Sequence, residues 1–136
     1  MRHLVTAMLI VVAAIHLLPV AGVMGGERLS ALYGIPVAEP NLAILMRHRA
    51  VLFGLLGVFL LYAAFRPANQ VAAFISGFVS VVSFLVLAWS VGGYNAQIGR
   101  VFIADIVALA CLLVGIAAYV YSRRAKNDAD TLNGDG

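Results

Sequence analysis

Residues 42–65 read LAILMRHRAVLFGLLGVFLLYAAF, an apolar run broken only by Arg47, His48 and Arg49. If that triplet lay in a loop, Ala50 to Phe65 would leave 16 residues, too few for a hydrocarbon layer that takes about 20 helical residues to cross. The triplet therefore belongs inside the span, and the chain carries charge at membrane depth.

Three further segments qualify as spans: Leu4 to Val23, Val71 to Gly93 and Val101 to Tyr121. Hydrophobic residues make up 63% of the 136-residue chain and charged ones 11%, far from the roughly 45–50% and 25% of soluble domains. The expected fold is all-α, a four-transmembrane-helix bundle over residues 1–122. Residues 123–136 are expected to form a polar, disordered tail. Little chain remains outside the spans to build a separate core. Met1-Arg2-His3 before an apolar run also fits a signal peptide. The run is long, carries His16 and lacks an Ala-x-Ala site, so it is expected to persist as a span.

The connections suggest the topology. Met24 to Asn41 is the one long connection, with Gly25-Gly26 and Gly34-Ile35-Pro36 as turns. Between them Leu29, Leu32 and Tyr33 fall at helical spacing, which suits a short interfacial helix over Glu27 to Tyr33, with an irregular loop as the alternative. Asn41 is expected to cap the second span and Asn69 the third. The tight turns at Arg66-Pro67 and Gly92-Gly93 then give an up-down-up-down bundle.

The balance of nine Lys and Arg against six acids, a formal +3, is spread over both membrane faces and is no nucleic-acid signature. Arg2, Arg66, Arg123, Arg124 and Lys126 share the face of the termini. With Arg47 and Arg49 counted in the span, only Arg28 and Arg100 face them. Both termini are expected to be cytoplasmic, in a bacterial inner membrane. Trp89 and Tyr94 would mark the outer interface, and Tyr62, Tyr119 and Tyr121 the inner.

Arg47, His48, Arg49, Asp105 and His16 all fall about 7–8 Å below the outer surface, at 1.5 Å per residue. Such residues are costly in hydrocarbon, and a cluster shared among helices would offset the cost. Arg47 shares a stripe with Ala50, Gly54 and Gly57, small residues that let helices approach. It is expected to point inward and pair with Asp105, with Arg49 turned outward or sideways and second choice as the partner. Independent snorkelling of each arginine is the alternative. His16 and His48 at matched depth raise haem or copper ligation, against which a hydrogen-bonded structural histidine is preferred. Ser76, Ser80, Ser83 and Ser90 form a stripe suited to packing. Ala104, Ala108, Cys111, Gly115 and Ala118 form another, which predicts close contact among spans two, three and four. No catalytic triad, metal motif, CxxC pair or phosphate loop is present.

The segments Leu32-Tyr33-Gly34-Ile35, Leu45 to Gly54 and Ser90 to Asn95 resemble a set of small bacterial four-span inner-membrane proteins, uncharacterised in function and broadly similar to the DoxX-like superfamily. Some of that set carry the label phosphopantetheine adenylyltransferase. That activity is not expected here, because enzymes of that name use an α/β fold and an HxGH-type motif, and the chain has neither.

Three functions fit these residues. The first is a structural module, assembling with itself or with a larger membrane partner, without catalytic residues, metal or cofactor. The second is a transporter or a protein binding an anionic lipid or anion through Arg47, Arg49 and Arg100. The third is a redox protein holding quinone or haem near His16 and His48.

Overall fold

The computed structural model describes residues 1–134, and every regular element among them is helical. Helix α1 (Arg2–Leu17) runs into a 3₁₀ segment (Leu18–Met24) with Pro19 in its first turn, and α2 (Gly26–Tyr33) follows. Then come α3 (Pro40–Ala64), a 3₁₀ turn (Pro67–Asn69), α4 (Gln70–Val91) and α5 (Ala96–Gly134). Four stretches are long and apolar enough to cross a membrane: Arg2–Met24, Pro40–Ala64, Pro67–Val91 and Ala96–Asp128. The second has the lowest mean hydropathy, 1.8, because it contains Arg47, His48 and Arg49. The protein is a four-helix membrane bundle. The Thr6 hydroxyl donates to the Ala64 carbonyl and ties the start of α1 to the end of α3.

The bundle is organised around α1. Val5, Leu9, Val12, Ala13 and His16 recur at helical spacing and are all buried, and α1 packs against both α3 and α5. Spans three and four pack closely as expected, and α4 also touches α3, but the expectation left out α1, which forms the most extensive contacts of the bundle. A Cβ on Gly57 would lie 2.8 Å from Leu17 Cγ and 3.2 Å from the Ala13 carbonyl oxygen, and one on Gly54 3.0 Å from Val20. The small stripe of α3 therefore admits side chains of the first span. Gly77 and Gly115 play the same part between α4 and α5, where they receive Leu112 and Phe74. Ala50 and Ala108 are fully enclosed.

The expected short helix forms as α2, and its apolar face covers a second cluster within the protein. Leu29, Tyr33 and Val37 are buried there against Leu32, Leu42, Met46, Ile98 and Val101. Leu29 presses on Gly22, so α2 closes the bundle end. Asn95 holds it in place: its Nδ2 donates to the Tyr33 carbonyl at 2.8 Å and the Gly34 carbonyl at 3.2 Å, while its Oδ1 accepts from Ile98 N–H at the start of α5. Gly34 ends α2 at φ 66°, a left-handed conformation that glycine adopts without strain.

Three local expectations differ. Glu39, not Asn41, caps α3: its carboxylate accepts from Asn41 and Leu42 N–H, and Pro40 takes the first helical position, where its missing N–H costs nothing. Asn69 precedes α4 without a side-chain cap bond, because Pro67–Asn69 is already wound as a 3₁₀ turn. The polar tail continues α5 as far as Gly134, since extending an existing helix costs much less than nucleating one. Its last two residues lie outside those described.

Gly57→Ala is expected to lower unfolding stability by about 1–3 kcal/mol by overpacking α1 against α3. Gly99→Ala, whose Cβ would have only Tyr94 near it at 3.8 Å, should not; thermal unfolding in detergent compares the two. The two N–H donors also hold the Glu39 carboxyl below its ordinary value of 4.5. The cap therefore contributes in full above that value and is lost as pH falls through the lower folded value. Amide exchange at Asn41 and Leu42 should accelerate only under those acidic conditions.

Candidate functional site

His16 is 2% exposed at the end of α1. Its Nδ1 lies 2.9 Å from the Val12 carbonyl oxygen, an acceptor only, so Nδ1 carries the proton. In the neutral ring Nε2 then accepts from the Ser80 hydroxyl of α4 at 3.2 Å. Both ring nitrogens are thereby used, and the ring stacks on Phe53 of α3 with centroids 5.5 Å apart. His48 is exposed, so the two histidines do not share a cavity. Of the serine stripe, only Ser80 makes a hydrogen bond to another helix. Ser76, Ser83 and Ser90 donate to carbonyls of their own helix.

Arg49, one helical turn before Phe53, lies against three aromatic rings. Its guanidinium carbon is 5.5 Å from the centroid of Tyr33, 5.1 Å from Phe53 and 5.6 Å from Phe84. These rings come from α2, α3 and α4. A cation packed over ring faces is attracted to their π electrons, the more so out of water. Its five N–H donors lie in the guanidinium plane, and none forms a hydrogen bond to the described residues. They remain available at the edge of the cage.

The inward arginine is therefore Arg49, and Arg47 is exposed, which corrects the expected Arg47–Asp105 pair. The buried residues of α3 are Ala50, Gly57, Leu60, Ala63 and Ala64. At about 100° per residue their mean direction lies about 50° from Arg49 and about 110° from Arg47. The small-residue stripe marks one edge of the buried face, not its centre. Arg100 is also exposed and lines neither cavity beside Arg49.

Asp105 of α5 is 6% exposed and feels the charge of Arg49. Among the described residues it has no hydrogen bond and no ion pair within 4 Å. It borders a chamber of about 50 Å³ shared with His16, Tyr33, Arg49 and Phe53. Burial holds the Tyr33 hydroxyl above the ordinary phenol range, with Arg49 opposing and Asp105 reinforcing the shift. Tyr33 thus remains a neutral donor.

Arg49 and Phe53 also border a larger groove of about 470 Å³, lined by α3, α4, the α4–α5 connection and Ile98 of α5. Its walls include Phe84, Leu87, Ala88 and Val91, with Ser80 and Ser83 deeper along α4. Leu87 and Val91 are exposed, so the groove opens sideways from the bundle. The result is an apolar slot beside a caged cation, with a carboxylate behind it. Among the described residues no three His, Cys, Asp or Glu come together as a metal site.

Tyr33, Phe53, Phe84 and Asn95 were not singled out as site residues by sequence. Phe53 was open to detection, because residues four apart share a helix face and Arg49 needed a partner. Phe84 and Tyr33 meet Arg49 only through tertiary packing. Comparisons with protein-family models, curated proteins and solved structures found no match to this chain.

Ser80→Ala should cost about 1 kcal/mol by leaving His16 Nε2 unpaired in a buried site. Ser83→Ala should be near neutral, since only its own helix loses a bond; unfolding in detergent measures both.

Proposed function

We propose that the protein binds a membrane-borne amphiphile, whose chain occupies the groove between α3 and α4 and whose headgroup presents acceptor oxygens to Arg49. The unpaired state of two charges, the half-buried Arg49 and the buried Asp105, carries this reading. A purely structural Arg–Asp cluster lowers its cost by closing an ion pair, because desolvated charges are repaid only by good contacts. Here Arg49 keeps its donors free, and Asp105 stays beyond ion-pair distance behind it.

The chemistry follows from the lining. Phe84, Leu87, Ala88 and Val91 offer an apolar path from the lipid. A carboxylate, phosphate or carbonyl oxygen arriving at its end meets the edge of a guanidinium already fixed by three rings. That pre-organisation lowers the entropy cost of binding. Asp105, behind Arg49 in the smaller chamber, helps balance the Arg49 charge when the groove is empty.

The structural-module reading draws on the small-residue stripes, but Gly54, Gly57, Gly77 and Gly115 are filled from inside the bundle, which favours binding over self-assembly. A redox role at His16 would have to release the ring from Val12 and Ser80. The same reading puts the chain in a bacterial inner membrane with cytoplasmic termini, on the five-to-two count of loop cations, and within the DoxX-like set on the segments around Tyr33, Arg49 and Tyr94.

Purified protein incubated with palmitate or phosphatidic acid and examined by native mass spectrometry tests this. Wild type and Arg47→Gln should retain ligand, and Arg49→Gln should lose at least tenfold in occupancy. Equal retention by Arg49→Gln, or none by wild type, would refute the proposal.

A further inference from the structure

The opposite end of the bundle carries a second recess, unrelated to Arg49. It measures about 560 Å³ and is bordered by Arg2 and Val5 of α1, Pro67 and Ala68 of the 3₁₀ turn, Gln70 at the start of α4, and Tyr119, Ser122, Arg123 and Lys126 of α5. Three cations drawn from the two ends of the chain converge there, and the lining contains no acid. Arg66 and Arg124 lie at the same end but outside the lining.

Gln70 makes the recess more than a patch of basic residues. It is 5% exposed, yet its amide forms no hydrogen bond among the described residues. An amide buried to that degree without a partner is costly. None of its polar atoms is both sealed off and unpaired, so the amide opens on the recess it borders.

The recess also continues into apolar surface. Tyr119 borders both it and a furrow of about 400 Å³ between α4 and α5, formed by Val71, Phe74, Ile75, Phe78, Ile116 and Val120 among others. Gln70 and Val71 are consecutive, so headgroup-facing and chain-facing surfaces meet within one turn of α4. Tyr119 is steadied by Phe74, with ring centroids 6.2 Å apart. Cations with hydroxyl and amide groups suit a phosphate, and the furrow suits an acyl chain.

We propose that this end of the bundle holds a specific site for an anionic phospholipid of the adjoining leaflet, with its phosphate among Arg2, Arg123, Lys126 and Gln70 and one acyl chain in the α4–α5 furrow. The continuous apolar furrow favours a lipid over free phosphate. The site is independent of Arg49, and either can fail without the other.

The test uses the full chain in nanodiscs of phosphatidylcholine containing a minor fraction of phosphatidylglycerol, with co-purified lipid counted by native mass spectrometry. Wild type should enrich phosphatidylglycerol at least fivefold over its share of the bilayer. Arg123→Gln and Gln70→Leu should each abolish the enrichment, the latter without changing net charge. Arg124→Gln and Arg66→Gln should leave it intact, and so should Arg49→Gln. Equal loss in Arg124→Gln and Arg123→Gln would mean diffuse charge attraction and overturn the site. Retention in Gln70→Leu, or displacement of the lipid by millimolar inorganic phosphate, would overturn it as well. Circular dichroism and unfolding temperature confirm that each variant folds; if Gln70→Leu does not, Gln70→Met carries the same expectation.

Discussion

The guanidinium of Arg49 rests on Tyr33, Phe53 and Phe84, and much of the upper bundle is arranged around that contact. A bare arginine in hydrocarbon costs roughly 2.5–3.5 kcal/mol even on insertion scales. The cage reduces that cost without using hydrogen-bond donors. It requires α2 to bring Tyr33 over the bundle end, and Asn95 fastens α2 by its last carbonyls. It also requires α4 to present Phe84 across a gap from α3, and this gap is the groove. Support for the cation and access from the side thus arise from one arrangement.

The same constraint explains why α1 is central. A 3₁₀ segment containing Pro19 continues the first span to Met24, and Gly22 accepts Leu29 beneath α2. His16 sits just before this segment, bonded to Ser80 and stacked on Phe53. It links α1, α3 and α4 at the floor of the cage. Changes at His16 or Ser80 therefore reach Arg49 through Phe53.

The spans and their order were legible in the sequence because hydrocarbon thickness sets helix length and tight turns force adjacent helices to reverse. The placement of Arg47, His48 and Arg49 inside the second span followed from length alone. Which of the three faces inward did not. Small residues tell where helices can approach, but the buried arc of α3 is centred by Leu60, Ala63 and Ala64 nearer the other end of the helix. His16 was legible as a hydrogen-bonded histidine, whereas its partner was one serine among four. The cap at Glu39 was masked by Asn41, a stronger cap by type that lies inside the helix. The helical tail shows composition outweighed by continuity with a long preceding helix.

The most direct measurement of the groove is photolabelling in a bilayer, using a fatty acid with a diazirine near its carboxyl and mapping adducts by peptide mass spectrometry. Adducts concentrated on Phe84, Leu87, Ala88 and Val91, and dispersed by Arg49→Gln, are expected if Arg49 anchors a headgroup there. Adducts spread evenly over other exposed apolar positions such as Ile44, Val58 and Ile103, unchanged by Arg49→Gln, would contradict it.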